Sequence, residues 1–388
     1  MDPNQTILET DYAVIGLGAM GASALYFLAR SCARVVGIDK YSPPHRYGAS
    51  HGGYKVTREA VAEGPAYLHF VRRSNALLRE LEHHYNINLM QRTGTLIIGS
   101  EAASNSNSFL RDTVKIARAN GIEHQVFSAK DLKKLYPQLI GVANEDVGYL
   151  EQNAGFIRPE PLLSLEIALA KQAGATILDN IAVNRITPIS GGVEIEVDGL
   201  RIRARQVVVA AGRWTSHLFD GQFGNLLSVT RQRTFTFKAL DAAAYQPNRF
   251  PTLMWFRESA GGECATVFPL EGPGEGVKFF VADTETDPRM GMSGDQFYQH
   301  HVQPFFAGIS AQLQHSETCF YTSTPDHGFL LDWHPDIPGV FLVSACSGHG
   351  FKHALGIGET IAALLAGKPV TDLSAFSLKR FSAGLRRG

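Results

Sequence analysis

Residues 11–40 constrain this chain more tightly than any other stretch. Tyr12-Ala13-Val14-Ile15 is apolar on both faces, as a strand buried in a parallel sheet must be. It breaks into Gly16-Leu17-Gly18-Ala19-Met20-Gly21, and small residues from Ala22 to Ala29 continue as a helix. Arg34 to Ile38 forms a second strand that ends at Asp39, 23 residues after Gly16. In such a β-α-β unit the first glycine permits the tight turn and the second lets backbone approach a pyrophosphate. The third packs helix on strand, and the acid takes ribose hydroxyls. A glycine-rich turn in an unrelated α/β fold is the competing explanation. The flanking strand and helix, together with Asp39, favour a dinucleotide site.

The C-terminus repeats the device. Val340 to Cys346 reads as a strand, and Ser347-Gly348-His349-Gly350-Phe351-Lys352 as a loop. The helix that follows contains Gly356-Ile357-Gly358-Glu359. A strand–glycine loop–helix unit aims backbone N–H groups and a helix N-terminus at something electron-rich. Between the two ends, the segment 41–54 is rich in Pro, Gly, Ser and His and suits a site-lining loop. Helical periodicity returns from Tyr67 to Leu81. Gly94 to Ser100 and Leu110 to Ala119 suggest a strand and then a helix, and Pro159 opens another helix to about Ala173. Val193 to Val197 and Ile202 onward are strands around a turn at Asp198-Gly199, and Val207 to Gly212 is a further buried strand. Residues 223–319 alternate aromatic and polar positions, as a mostly antiparallel sheet does.

The expected architecture is α/β, with a Rossmann-like dinucleotide-binding domain, FAD-binding if the flavin reading of the motifs holds, and an interleaved antiparallel-sheet substrate domain. The first takes residues 1–88, 145–222 and 320–388, and the second takes 89–144 and 223–319. A length of 388 residues suits two such units. With 36 basic against 37 acidic residues the net charge is −1, and there is no basic block to hold nucleic acid or a membrane surface. No apolar run approaches a membrane span, and the polar N-terminus does not read as a secretory signal. Cys32, Cys264, Cys319 and Cys346 lack metal spacing and a Cys-x-x-Cys pair, so no metal is expected. They read as reduced thiols of a cytoplasmic protein.

The N-terminal unit alone does not separate FAD from NAD. Ala210-Ala211-Gly212 followed by Trp214 leans toward FAD, where a second strand often returns to the dinucleotide. Five motifs in order then make the chain resemble the monomeric sarcosine oxidase and N-methyltryptophan oxidase family of flavin amine oxidases. They are the N-terminal fingerprint, Gly48-Ala49-Ser50-His51-Gly52 with Arg58, and Gly155-Phe156-Ile157-Arg158-Pro159-Glu160. Cys319-Phe320-Tyr321-Thr322 with Asp326, and Ser347 to Lys352 with Gly358-Glu359, complete the set. The resemblance runs nearly end to end.

That resemblance implies roles for individual residues. Cys319 matches the position of covalent flavin attachment, where a thioether would anchor the FAD and raise its potential. A free cysteine is otherwise a small buried hydrophobe. Arg58 and Lys352 match the binders of the substrate carboxylate, a task suited to a two-pronged guanidinium and a fixed ammonium. Read without the family, Arg58 would be a solvated helix residue paired with an acid. Lys278, flanked by Val277 and Phe279, matches the lysine that activates dioxygen, whose reduction develops negative charge. An edge-strand lysine that resists aggregation is the alternative. His349 either hydrogen-bonds flavin or substrate or caps the last helix, and Tyr321 lines the substrate pocket. Gly16, Gly18, Gly21, Asp39, Lys40, Ser50, His51, Lys55 and Val183 are the expected cofactor contacts of the N-terminal half. Gly212, Trp214, Cys319, Gly348, Gly350, Phe351 and Lys352 complete them.

Departures from the family concentrate in the pocket wall. Lys55 stands in place of an arginine, Tyr54 of a threonine, Ala282 of a histidine and Thr266 of a tyrosine. They make sarcosine itself doubtful as substrate, and Trp255 and Phe256 are candidates for shaping a different amine pocket. The reaction implied is oxidation of a secondary amine, an N-methyl or cyclic amino acid, to an imine by a monomeric enzyme, with dioxygen reduced to hydrogen peroxide. A dehydrogenase or demethylase using another acceptor shares the first half of that chemistry, and Lys278 argues against it. A non-catalytic flavin-binding protein and an NAD enzyme are the remaining alternatives.

Overall fold

A computed structural model describes residues 6–31, 33–100, 107–219, 226–257, 263–272, 274–281 and 291–381. Ala282 and Cys32 lie outside the described residues. Parallel strands from three distant parts of the chain form the centre of the first sheet. Their order is Thr176–Leu178, Val35–Ile38, Thr6–Ile15, Leu200–Val209 and Val340–Ser344. Register aligns their carboxyl ends: Ile15 lies opposite both Ile38 and Val209, Ile38 opposite Leu178, and Val209 opposite Leu342. The turn after Ile15, Asp39, Ala210 and the loop after Ser344 therefore meet at one edge. In an open parallel sheet that edge is where ligands bind.

Two boundaries differ from the sequence reading. The first strand begins at Thr6 rather than Tyr12, because Thr6 to Thr10 pair with Leu200 to Ala204. For the same reason the two expected strands at 202 and 207 are one strand, Leu200–Val209. A turn would have interrupted a ladder that the first strand continues on both sides of Arg205.

The second sheet has eight strands in the order Ile309–Ser323, Ser228–Ala239, Val277–Val281, Glu263–Phe268, Thr252–Arg257, Thr95–Ser100, Asp146–Glu151 and Gln125–Ser128. It is antiparallel except where Thr252–Arg257 runs parallel to Thr95–Ser100. Asp146–Glu151 hydrogen-bonds here, although residue 145 onward was expected in the FAD-binding segments. The expected boundary at 319/320 falls inside Ile309–Ser323. Alternation segregates the faces of this sheet. Leu253, Trp255, Ala265, Val267, Val277 and Phe279 enter one core with Phe297, Phe305 and Phe306. The alternate positions, among them Phe256, Cys264, Thr266, Lys278 and Phe280, occupy the opposite face. Trp255, expected beside Phe256 in a pocket, is thus buried in the core, with its ring edge-on to Phe305 and Phe306.

Three helices tie the termini together. Ala19–Arg30 packs against both Pro159–Gln172 and Ala354–Leu365. A methyl group on Gly358 would sit 2.5 Å from Ser23 Cβ, so only glycine admits that approach. Glu166, on the Pro159–Gln172 helix, is buried there and accepts a 2.5 Å bond from Ser23 Oγ. Burial pushes its carboxyl up to about 8, and the Ser23 bond only partly opposes that. The stability gained by holding it protonated is complete below the unfolded value near 4.5 and is lost as pH rises through 8. Glu166→Gln should therefore flatten the fall in denaturation midpoint between those limits and exceed the parent's midpoint at pH 8. An undiminished slope in the variant would contradict this assignment.

Candidate active site

The carboxyl edge of the parallel sheet opens into a cavity of about 640 Å³. One end is lined by Gly16, Gly18, Asp39, Lys40, Ser50 and Trp214, and the middle by Val183 and Gly212. The other end is lined by Lys55, Phe320, Tyr321, Cys346, Gly348, Gly350 and Phe351. The first turn is shaped by exclusion. Gly16 has φ +87°, and a Cβ there would lie 2.6 Å from Ala210 O. On Gly21 it would run into Gly16 O, so this glycine faces its own turn rather than the cavity. Ser50 Oγ accepts from Ala19 N at 2.9 Å, fastening the 41–54 loop to the start of the helix. Asp39 accepts from Leu17 N at 2.7 Å and Tyr41 N at 2.9 Å, and His45 Nε2 lies 3.3 Å from it.

Residues 345–351 form the opposite wall. Ser347 and Gly348 have φ of +40° and +77°, and Gly350 abuts Ala345 O so closely that no side chain fits. Gly348 rests against the Tyr321 ring, 3.1 Å from where its Cβ would stand. The shape and the glycine-lined ends suit a dinucleotide. His51, next to Ser50, is buried with neither ring nitrogen hydrogen-bonded, but it does not line the cavity. Cys319 is buried beside Phe320 but does not line the cavity. Burial raises its thiol pKa, while Lys55 and Lys278 act in the opposite direction.

Lys278 occupies an interior strand, opposite Thr236 on one side and Phe268 on the other, so it is not an edge lysine. It is 6% exposed. Its ammonium donates to Gly52 O, lies 3.7 Å from Glu317 Oε2, and stands 5.4 Å from the Tyr54 ring centre. Burial, with Lys55 nearby, brings its pKa down to about 8, against the pull of Glu317.

Arg58 is buried at 2% exposure and belongs to no helix. It does have an acid, and that acid is Glu63, a residue the sequence reading overlooked. Arg58 Nη2 donates to both Glu63 oxygens at 2.9 and 3.0 Å, and the Arg58 Nη1 group binds Ala60 O. Lys352 Nζ, 3.6 Å from Glu63 Oε1, donates to His349 O at 2.7 Å. His349 Nδ1 lies 3.6 Å from the same carboxylate, its Nε2 is 3.1 Å from His327 O, and its ring stacks on Phe329. Burial brings Lys352 down to about 8 and His349 to about 4. Burial alone would raise Glu63, but Arg58, Lys352 and His349 hold its carboxyl well below the usual range. Behind them Glu151, another residue overlooked, accepts from Glu59 N and Ala60 N at 2.6 and 3.0 Å and fixes the turn after Arg58. The one sequence signal for Glu63 was its place before Gly64-Pro65, at the start of the Leu68–Tyr85 helix.

The family profile described as FAD dependent oxidoreductase matches residues 11–364. The chain belongs to this family. It is 30% identical to a monomeric sarcosine oxidase of Streptomyces avermitilis over 384 residues, covering 96% of this chain and 98% of that protein. It is also 30% identical to an N-methyl-L-tryptophan oxidase of Salmonella arizonae, covering 97% of this chain and all of the relative. Among solved structures, the open form of NikD, an unusual amino acid oxidase essential for nikkomycin biosynthesis, superposes with a TM-score of 0.80. That match has 20% identity and covers 95% of this chain and 97% of NikD. The L-proline dehydrogenase from P. horikoshii gives 0.77 at 17% identity, covering 97% of this chain and 99% of its own. FAD is thus the cofactor of the fold, and the cavity fits it.

Because Arg58, Lys352 and His349 hold the Glu63 carboxyl low, its contribution to stability is present above about 4.5 and lost as pH falls below that value. Glu63→Ala leaves those cations unpaired and should lower the unfolding free energy at neutral pH by about 3–5 kcal/mol. Denaturant titration measures this, and a change below about 1 kcal/mol would show the pair to be dispensable.

Proposed function

We propose that this protein oxidises a secondary amine of an amino acid, N-methylated or cyclic, to the imine, with dioxygen as the final acceptor and hydrogen peroxide as product. The observation that carries the reading is the pair of buried cations, Arg58 and Lys352, converging on Glu63, with Lys352 next in sequence to Phe351 of the cavity wall. Bound FAD supplies the acceptor for the two electrons that leave the amine. The relatives named for sarcosine and N-methyl-L-tryptophan oxidation support the substrate class.

Arg58 and Lys352 bind the substrate carboxylate and thereby orient the C–H bond to be broken. Glu63 holds both cations in place until the substrate arrives, then shares them. Tyr321, whose phenol burial pushes well above its ordinary value, stays neutral and closes the wall beside Gly348. N–H groups of the loop 345–351 and the N-terminal end of the last helix face developing negative charge. Lys278, still largely protonated below pH 8, provides the cation for dioxygen reduction. Cys319 is the proposed site of a thioether to the flavin. The pocket wall contributes Phe256, Thr266 and Phe280, with the Phe109 ring tilted against Phe256 at 4.9 Å between centres and lying under the Arg58 guanidinium. That wall accommodates an apolar side chain better than the small substrate sarcosine.

Acid precipitation of the purified protein tests the cofactor assignment. Yellow colour should stay with the pellet and move to the supernatant in Cys319→Ser. Colour in the supernatant of the parent refutes the covalent link. For the reaction, Arg58→Gln and Lys352→Met should each raise KM for an N-methyl amino acid by about tenfold or more, matching ~1.4 kcal/mol of lost carboxylate binding. Peroxide release should equal amine consumed. Amine oxidation with a dye acceptor but no peroxide would instead establish a dehydrogenase.

A further inference from the structure

Lys278 and Glu317 belong to strands that are not neighbours. Ser228–Ala239 runs between them, and the register places Thr236 beside Lys278 and Thr234 beside Glu317. Strands two apart are separated by about 9–10 Å, so two long side chains can meet only over short residues. The threonines provide that clearance. Glu317 shares its strand face with Cys319 and Tyr321, at intervals of two, and Tyr321 lines the cavity. One Glu317 oxygen lies 3.7 Å from the Lys278 ammonium, and the other lies 3.2 Å from His315 Nε2. Gly52 closes the arrangement: a Cβ there would be 3.2 Å from Glu317 Oε2 and 3.5 Å from Lys278 Nζ.

We propose that Glu317 is a positioning residue that keeps Lys278 charged and pinned against the Gly52 carbonyl. This rests on the reading of Lys278 as the group that assists dioxygen reduction. A cation buried at this depth, beside a second lysine, loses its proton readily unless an acid compensates. Several groups bear on Lys278: Lys55 from its short strand, Glu160 from the Pro159–Gln172 helix, and His51 and Tyr54 from the site loop. His315, Glu317 and Cys319 face it from the long strand. Glu160 is engaged elsewhere, accepting from Gly52 N at 2.8 Å. Among the described residues Glu317 is the acid at ion-pair distance from Lys278. The Tyr54 ring covers the ammonium, and its hydroxyl is 3.2 Å from Glu275 Oε2, so the ring is tethered over the lysine.

The test is a titration of Lys278 in flavin-bound protein labelled with ¹³Cε-lysine, with the missing signal of Lys278→Met giving the assignment. In the parent the signal should titrate near pH 8. In Glu317→Gln its midpoint should fall by about one pH unit or more. An unchanged midpoint overturns the proposal. At pH 8 the same shift reduces the charged fraction, so reoxidation by dioxygen should slow by about fivefold and recover on acidification. Anaerobic reduction by amine should change far less. If Lys278→Met reoxidises at the parent's rate, the reading of Lys278 fails, while the titration still decides the role of Glu317. Glu317→Ala is the second variant, and failure of both to fold would overturn a positioning role in favour of a structural one.

Discussion

Everything in this fold depends on how closely the first and last helices approach. Ser23 and Gly358 touch where any larger pair would separate them. That contact fixes Thr6–Ile15 and Val340–Ser344 as companions in one parallel sheet, although more than 300 residues lie between them. The two glycine loops that follow these strands can then face each other across one cavity. Gly356 serves the same purpose toward the Leu68–Tyr85 helix, where a Cβ would lie 2.5 Å from Phe70 O.

The second organising feature is electrostatic. Each of these buried cations has an acid beside it: Glu63, shared by Arg58 and Lys352, and Glu317 for Lys278. Without such partners burial would discharge the lysines, since the uncharged amine is the cheaper species away from water. The internal acids compensate the buried positive charge in the absence of any ligand. They also make the region costly to disturb, because removing one member strands another.

The N-terminal β-α-β was legible because its signals are local: a turn, a helix start and an acid at a fixed distance, all within thirty residues. Alternation along Val277–Val281 was equally legible, but which face met the site was not. Hence Trp255 was assigned to a pocket when it fills the core beneath. The place of Lys278 in the interior of the sheet depends on strand order, which pairing sets and no single strand encodes. Glu63 and Glu317 were missed for a related reason. Each is unremarkable in its own segment and gains meaning from a cation brought to it by another element. The extra length of Thr6–Ile15 likewise came from a partner nearly two hundred residues away.

The two faces of the eight-stranded sheet carry separate burdens. Residues facing Phe297 and Phe305 hold the sheet together, while their immediate neighbours in sequence occupy the opposite face, with Lys278 among them. Selection, natural or in the laboratory, can therefore alter side chains at 256, 264, 266 and 280 without repacking the core around Phe297 and Phe305. Divergence on that face needs no change of scaffold. It needs only substitutions at every second residue of a few strands.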